Sequence, residues 1–174
     1  DMSNPSIAFD NTTLVVAGES GIFYSTDGTN YTTTTTTAIA IDNIRQFTSM
    51  VRNTSGTYVA VGADGICYRD DGVWYTTNVI DTDVRGSVCT DGSSFVTAGS
   101  GGIYYSSNGT SWTKVTTDSM TDAALHYNDY LWVAAGSSGI YYSSNGTLWT
   151  KVTGVDRMTG AALHYNGSLW VAAG

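Results

Sequence analysis

The chain has 174 residues and a mass of 18.4 kDa, enough for one domain whose hydrophobic core needs no metal or disulfide to fold. Charged residues make up 13% of it, and the formal net charge of -8 would repel a phosphate backbone, which argues against nucleic acid and anionic membranes as partners. No apolar run approaches a membrane span, so we expect no membrane insertion.

Two short apolar segments, SIAFDN and LVVAG, open the chain, and GIFYS and an Asp27-Gly28 turn follow them. Short apolar runs separated by Asp-Gly and Asn-Gly pairs predict antiparallel strands joined by tight turns. The same series returns from Val59, Val96 and Val133. In the copy that ends at Thr153 we name the four predicted strands A to D, and they span Ala123–Asn128, Leu131–Gly136, Gly139–Ser144 and Leu148–Thr153.

A glycine at the end of each strand B marks the repeat: Gly18, Gly62, Gly99, Gly136 and Gly174, with a spacing of about 37 residues in the later copies. Four meandering strands per repeat at this length predict an all-β fold, a β-propeller of four-stranded antiparallel blades. We predict one domain over residues 1–174, with blades at about 5–36, 44–78, 85–117 and 122–153 and half of a fifth blade at 160–174. The open edge of a half-blade favours oligomerisation or a continuing chain over an isolated monomer.

The turn between strands C and D repeats most closely, as YSSNGTSW from Tyr105 and YSSNGTLW from Tyr142. We expect each Asp-Gly or Asn-Gly pair to adopt the positive φ values of a two-residue hairpin, and the aromatic residue that follows to pack between blades. The residues assigned to these structural turns are Ser25, Asp27, Gly28 and Tyr31; Asp71, Gly72 and Tyr75; Ser106, Asn108, Gly109 and Trp112; and Ser143, Asn145, Gly146 and Trp149. The second copy has Arg69 where the others have serine.

The pattern S-x-[DN]-G-x-x-[WY] after an apolar strand resembles the Asp-box, or BNR repeat, of sialidase-like propellers. The four copies differ from that motif in having one residue fewer before the aromatic, and two of them have Asn in place of Asp. In that family the motif lies in the turn between the third and fourth strands, away from the substrate face. The resemblance therefore implies a propeller fold and does not by itself imply an activity.

Cysteine and histidine usage indicates structural roles. Cys67 and Cys89 lack the spacing of a zinc site, and we favour two buried thiols over one disulfide because Cys67 stands at an aromatic position of a strand. His126 and His164 occupy equivalent places in successive repeats, which a catalytic histidine seldom does. We expect no metal and no cofactor.

The residues do not favour an enzyme. A complete sialidase site would need clustered arginines and a glutamate beside a tyrosine nucleophile, whereas the five arginines are scattered and Glu19 is the single glutamate. A glycoside hydrolase with paired carboxylates stays open as an alternative, because Asp81, Asp83, Asp118 and Asp156 lie in loops after successive blades. Solvated loop aspartates are the commoner explanation.

By strand order, the B-to-C and D-to-A loops share one face of the propeller, and both hairpin turns share the other. Variable loops on a rigid repeated frame are where binding residues concentrate. The candidate binding residues on that face are Glu19, Asp64, Asp81, Asp83, Asp118, Asp156 and Arg157.

We therefore expect a non-catalytic module on the extracellular or virion surface that attaches to glycans or to a neighbouring structural protein through its loops or its interblade grooves. Low lysine content, abundant Thr, Ser, Asn and Gly, and the close similarity of the third and fourth blades resemble features of phage surface proteins and secreted bacterial repeat proteins. The alternatives are a fragment of a glycoside hydrolase and a structural subunit that self-assembles through its open edge.

Overall fold

A computed structural model describes residues 5–9, 12–18, 21–33, 46–80, 84 and 86–174. The described residues form strands, turns and loops, and none of them belongs to a helix that would reach across a membrane. The strands are β1 Ser6–Phe9, β2 Leu14–Gly18, β3 Gly21–Ser25, β4 Thr32–Thr33, β5 Ser49–Arg52, β6 Tyr58–Gly62, β7 Gly65–Asp70, β8 Val73–Ile80, β9 Ser87–Thr90, β10 Phe95–Gly99, β11 Gly102–Ser106, β12 Thr113–Thr116, β13 Ala124–Tyr127, β14 Trp132–Gly136, β15 Gly139–Ser143, β16 Thr150–Lys151, β17 Ala162–Tyr165 and β18 Trp170–Ala173.

Consecutive strands pair in order, so each repeat is one antiparallel meander. Strands β1–β4, β5–β8, β9–β12 and β13–β16 form four-stranded sheets, and β17 and β18 form a two-stranded sheet. The first strands of successive sheets contact each other, from β1 to β5, β9, β13 and β17. The prediction of four complete propeller blades and half of a fifth is confirmed.

The core lies between blades, because successive residues of a strand point to opposite faces of its sheet. In blades 2 and 3, one face packs on the preceding blade and the other on the following one. Between blades 3 and 4, for example, Val96 and Ile103 of blade 3 meet Trp132 and Tyr141 of blade 4 in one buried cluster. Equivalent clusters join blades 1 and 2 and blades 2 and 3.

The half-blade docks on blade 4 by the same rule. Strands β17 and β18 have the register of β13 and β14, with Tyr165 opposite Trp170 as Tyr127 is opposite Trp132. The Trp170 ring lies 5.4 Å from the ring of His126, which it meets edge to face. His126 therefore makes an interblade contact, and its equivalent His164 lies exposed on the outward face of the half-blade.

The Ser-x-Asx-Gly turns of blades 1, 3 and 4 are held by their own side chains. In blade 4 the Ser143 hydroxyl accepts the Gly146 N–H at 2.9 Å and donates to Asn145 Oδ1 at 3.1 Å. Asn145 Oδ1 also accepts the N–H groups of Thr147 and Leu148. Blades 1 and 3 repeat this network around Asp27 and Asn108.

This geometry differs from the two-residue hairpin that the Asx-Gly pairs predicted. In the three turns the glycine alone has a positive φ, which is 74° at Gly28, 82° at Gly109 and 75° at Gly146. The Asx side chain instead bonds backbone N–H groups ahead of it, which is an Asx turn and needs no left-handed Asx residue. The longer loop places Trp112 and Trp149 so that each indole N–H donates to the carbonyl of its own turn glycine, Gly109 or Gly146.

Blade 2 has the expected two-residue hairpin but corrects the assignment of the aromatic residue that packs between blades. Its Asp71-Gly72 pair has φ values of 45° and 82° and forms the tight two-residue hairpin, with Asp70 opposite Val73. The shorter turn shifts the aromatic position by one residue. Trp74, 1% exposed, therefore packs between blades 1 and 2, whereas Tyr75, assigned that role from sequence, is 37% exposed and stacks on Tyr68 at 5.3 Å.

Tyr31 also departs from the expected packing. It is 45% exposed, and Ile7 and Phe9 are each 61% exposed, because these side chains face away from blade 2. No described blade covers that face of blade 1. The aromatic residue after the turn is buried where a preceding blade lies beside it, as at Trp112, and is exposed where none does.

The two cysteines are free thiols. Cys67 is fully buried in the cluster between blades 1 and 2, and Cys89 packs against the cluster between blades 3 and 4. Burial raises the pKa of both thiols above the ordinary value, so both are protonated at neutral pH. The interpretation as unbridged thiols is confirmed.

Candidate binding face

The candidate face is formed by the loops at one end of the strands. Because each blade is a meander, the loop from strand B to strand C and the loop from strand D to the next strand A leave the sheet at the same end. The described loops are residues 63–64, 100–101 and 137–138 between strands B and C, and residues 117–123 and 152–161 between blades. The Ser-x-Asx-Gly turns lie at the opposite end.

A buried apolar residue lies shortly before the first strand of blade 3, of blade 4 and of the half-blade. The N–H groups of Val84, Met120 and Met158 donate to the carbonyls of Gly62, Gly99 and Gly136, at the end of strand B in the preceding blade. The three side chains are buried. We call these residues the loop anchors.

The glycine of the following blade makes room for each anchor. A Cβ atom at Gly99 would lie 2.6 Å from the Val84 Cα, and one at Gly136 would lie 3.3 Å from the Met120 Cα. A Cβ atom at Gly174 would lie 3.0 Å from Met158 Cβ. Each anchor thus sits between two repeat glycines, which gives the spacing of these glycines a physical cause.

Asp118 is the best-defined of the candidate binding residues. It is exposed just before the anchor Met120, and its Oδ2 accepts the Tyr141 hydroxyl at 2.7 Å. Burial and this contact with the Asp118 carboxylate raise the pKa of Tyr141 to about 12. The phenol therefore stays protonated at neutral pH and holds the carboxylate at the rim of the face.

Asp156 holds the equivalent place in the next loop but has a different partner. Its carboxylate lies 3.9 Å from the Lys151 ammonium, and the Asp156 side chain is 93% exposed. Such an exposed pair contributes little to stability. Arg157 follows it and is also exposed. The two loops thus present a carboxylate at the same place; one is hydrogen-bonded to a phenol, and the other is exposed beside a lysine.

The remaining candidates are only partly described. Asp64 lies half-buried in the loop between β6 and β7. Glu19, Asp81 and Asp83 lie outside the described residues. Among the residues that the structure does describe, no group of three or more His, Cys, Asp or Glu side chains is arranged to hold a metal ion.

Sequence reasoning missed a repeated cation–π contact next to this face. The ammonium of Lys114 lies 5.8 Å from the centre of the Tyr104 ring, and that of Lys151 lies 5.9 Å from the centre of the Tyr141 ring. These are the two lysines of the chain, and they occupy equivalent positions of strand D. The segment WTKVT occurs at residues 112–116 and 149–153, so the sequence already placed a lysine at the same position of two successive blades.

Blade 2 carries a second cationic feature that the sequence did not suggest. The guanidinium groups of Arg52 and Arg69 each lie 5.6 Å from the centre of the buried Tyr58 ring. Arg69 stands where the other turns have serine, so the turn of blade 2 lacks the serine hydrogen bonds. The Arg69 guanidinium packs over the Tyr58 ring instead.

Comparison with known proteins supports the fold. No protein-family model and no curated protein sequence matches the chain. Among solved structures, YCF48 from Cyanidioschyzon merolae is similar, with a TM-score of 0.54 and 18% identity over 91% of this chain and 61% of that one. A structure described as YCF48 bound to D1 peptide has a TM-score of 0.53 and 21% identity over 85% of this chain and 52% of that one.

These structures are β-propellers. The likeness establishes the fold. At this identity it extends to nothing else, and the chain spans about half to three-fifths of the length of the two proteins.

Proposed function

We propose that the chain is a non-catalytic propeller module that binds a protein partner through the loop face described above. The observation that carries the proposal is the pair of equivalent loops at 117–123 and 152–161. Each is fixed by a buried methionine anchor and presents an aspartate, Asp118 or Asp156, to solvent. A rigid frame with exposed polar groups on its loops is the usual arrangement of a binding surface.

The two faces of the propeller have different roles, and this difference supports the assignment. The Ser-x-Asx-Gly turns use their side chains to bond their own backbone, and the turn glycine of blade 4 packs on the preceding blade, so these repeated residues have a structural role. On the pattern of these turns, we propose that the chain is an Asp-box propeller. This assignment also gives the turns a structural role. The similar structure described as bound to D1 peptide is a precedent for a propeller of this shape that binds a peptide.

Among the described residues, the face carries Asp64, Asp118, Asp122 and Asp156 against Arg157, and Lys114 and Lys151 lie beside it, so its charge balance is weakly acidic. An acidic face favours a partner with basic side chains, whose association would weaken with salt. We place the module on an extracellular or virion surface, in keeping with its low lysine content and its uncharged polar surface.

Site-specific photo-crosslinking tests the proposal. A photoreactive amino acid would replace Thr117 on the loop face in one variant and Ser144 on the hairpin-turn face in another, since both residues are exposed. We expect the first variant to crosslink a protein in material from the natural source and the second to crosslink none. A partner captured from Ser144 alone would overturn the choice of face.

Two further assays separate the alternatives. Binding on a glycan array that is lost in Asp118→Ala/Asp156→Ala would assign the face to a glycan instead of a protein. Turnover of any glycan on the same panel would favour the fragment of a glycoside hydrolase and would contradict the non-catalytic assignment.

A further inference from the structure

Blade 2 differs from the other blades at two positions that flank one buried ring. At its hairpin-turn end, Tyr58 lies opposite Arg52 of strand A on one side and opposite Arg69 of strand C on the other. The residues equivalent to Arg52 are Phe9, Thr90 and Tyr127, and those equivalent to Arg69 are Ser25, Ser106 and Ser143. Blade 2 therefore has a cation at both places where the other blades have an uncharged side chain.

Both guanidinium groups lie over the ring of Tyr58. Each Cζ atom is 5.6 Å from the ring centre, so the two charges lie within twice that distance of each other. Tyr58 is 2% exposed and belongs to the cluster between blades 1 and 2, whereas the two arginine side chains are half-buried. The buried ring thus holds two cations side by side at the surface of the hairpin-turn end.

Neither cation has a polar partner in the described part of the chain. There, neither guanidinium forms an ion pair or a hydrogen bond, and the Nε atom of Arg52 is buried without an acceptor. Asp70 and Asp71 follow Arg69, but both are exposed and pair with neither arginine. The face of the tyrosine ring attracts both cations, but it leaves their N–H donors without acceptors and does not cancel their mutual repulsion.

This arrangement has the donors and the charge that an oxyanion requires. A guanidinium has five N–H donors in a planar fork and no acceptor, which matches a pair of oxygens on a sulfate or phosphate group. A planar carboxylate presents one such pair, whereas a tetrahedral anion presents a separate pair to each of two guanidinium groups. The two arginines therefore favour a tetrahedral anion.

We propose that Arg52 and Arg69 form a binding site for a tetrahedral oxyanion, a sulfate or phosphate group, at the hairpin-turn end of blade 2. Each guanidinium donates to a different pair of oxygens, and the ring of Tyr58 packs against both. The anion supplies the missing acceptors and cancels the repulsion between the cations. The site lies at the opposite end of the strands from the loop face and does not depend on the function proposed for that face.

Isothermal titration calorimetry of the 174-residue protein with sodium sulfate tests the proposal. Sodium chloride at the same ionic strength is the control titration, and sodium phosphate is the second probe. We expect saturable binding of one sulfate or phosphate per chain and no saturable binding of chloride. Tighter binding of a monosulfated disaccharide than of free sulfate would assign the anion to a glycan, whereas equal or weaker binding would assign it to the free ion.

Residues taken from blade 3 give matched variants. Arg52→Thr and Arg69→Ser should each weaken sulfate binding at least about tenfold, because each removes one of the two guanidinium groups. Arg157→Ser removes the same charge from the exposed loop face and should change the affinity less than about twofold. Arg69→Lys keeps the charge without the planar fork, so we expect an intermediate loss, and this variant replaces Arg69→Ser if the latter does not fold.

The effect of sulfate on Tm separates anion binding from packing. Sulfate raises the Tm of many proteins without a specific site, so the rise is compared between variants. We expect a smaller rise in Arg52→Thr and Arg69→Ser than in Arg157→Ser, whereas arginines that only pack on Tyr58 would lower Tm equally in sulfate and in chloride. Equal sulfate affinity of Arg69→Ser and Arg157→Ser, equal binding of sulfate and chloride, or no saturable binding of either oxyanion would overturn the proposal.

Discussion

Alanine substitutions at two turn glycines separate backbone strain from interblade packing. Gly28 and Gly146 have φ values of 74° and 75°, so alanine meets the same left-handed strain at both positions, about 1–2 kcal/mol. Their surroundings differ. A Cβ atom at Gly28 would have no neighbour within 4 Å, whereas one at Gly146 would lie 3.0 Å from Tyr105 Cδ2 and 3.4 Å from Val96 Cγ2.

Gly146→Ala is therefore expected to destabilise the protein by about 2 kcal/mol more than Gly28→Ala, because overpacking a well-packed site typically costs about 1–3 kcal/mol. For a chain of this size the difference corresponds to about 4–8 °C in Tm. Urea unfolding followed by tryptophan fluorescence and by circular dichroism measures both variants, and coincident transitions show whether the blades unfold together.

A double-mutant cycle with Tyr105→Ala checks the cause. Removing the ring that obstructs the new Cβ should relieve the packing cost at Gly146, so the two substitutions should couple by about 1 kcal/mol or more. Equal destabilisation by Gly28→Ala and Gly146→Ala, or additivity of Gly146→Ala with Tyr105→Ala, would refute the claim that the turn packs on the preceding blade.

Three further predictions concern the same turns. Ser143→Ala leaves the buried Gly146 N–H without its acceptor and should lower the free energy of unfolding in urea by about 1–3 kcal/mol. Ser144→Ala, at the exposed neighbour, should change it by less than about 0.5 kcal/mol, and similar losses in the two variants would contradict the hydrogen-bond network. Hydrogen bonds from Asn30 and Thr29 hold the pKa of Asp27 well below its ordinary value of 3.8, so its stabilisation is present above pH 3.8 and declines as the pH falls toward the folded-state pKa. Asp27→Asn should therefore flatten the acid side of the stability curve, and curves that stay parallel below pH 3.8 would disprove the assignment. Trp112→Phe removes a hydrogen bond to Gly109, whereas Trp74 Nε1 has no hydrogen-bond partner among the described residues. Trp112→Phe should therefore lower the free energy of unfolding by about 1 kcal/mol more than Trp74→Phe. The opposite order in thermal unfolding would contradict the geometry.

The repeat made the fold predictable from the sequence. Glycines at the end of each strand B and Asx-Gly pairs between strands are local signals, and each strand pairs with its sequence neighbour, so no long-range pairing had to be inferred. The error at Tyr75 arose from aligning blade 2 without a gap. Its turn is a tight two-residue hairpin that moves the aromatic position to Trp74, and Arg69 in place of serine was the signal that its turn differs.

The candidate face was less predictable, because its contacts join residues of different strands and loops. The bond from Tyr141 to Asp118 spans 23 residues and depends on how a loop folds over the next blade. The loop anchors carried a sequence signal in DSMT and VDRMT, where Met120 and Met158 recur at one place. A single apolar residue in a polar loop is a weak local signal, because the contact that buries it lies in the preceding blade.

Affinity for the protein that crosslinks to the loop face tests the central claim most directly. Asp118→Ala/Asp156→Ala alters the loop face, Ser107→Ala/Ser144→Ala alters exposed positions of the hairpin turns, and Asp118→Asn checks that loss of the carboxylate charge, not of the side chain, is responsible. We predict that the loop-face variant weakens binding at least about tenfold and that the hairpin-turn variant leaves it unchanged. Binding that survives the loop-face variant and is lost in the hairpin-turn variant would contradict the account.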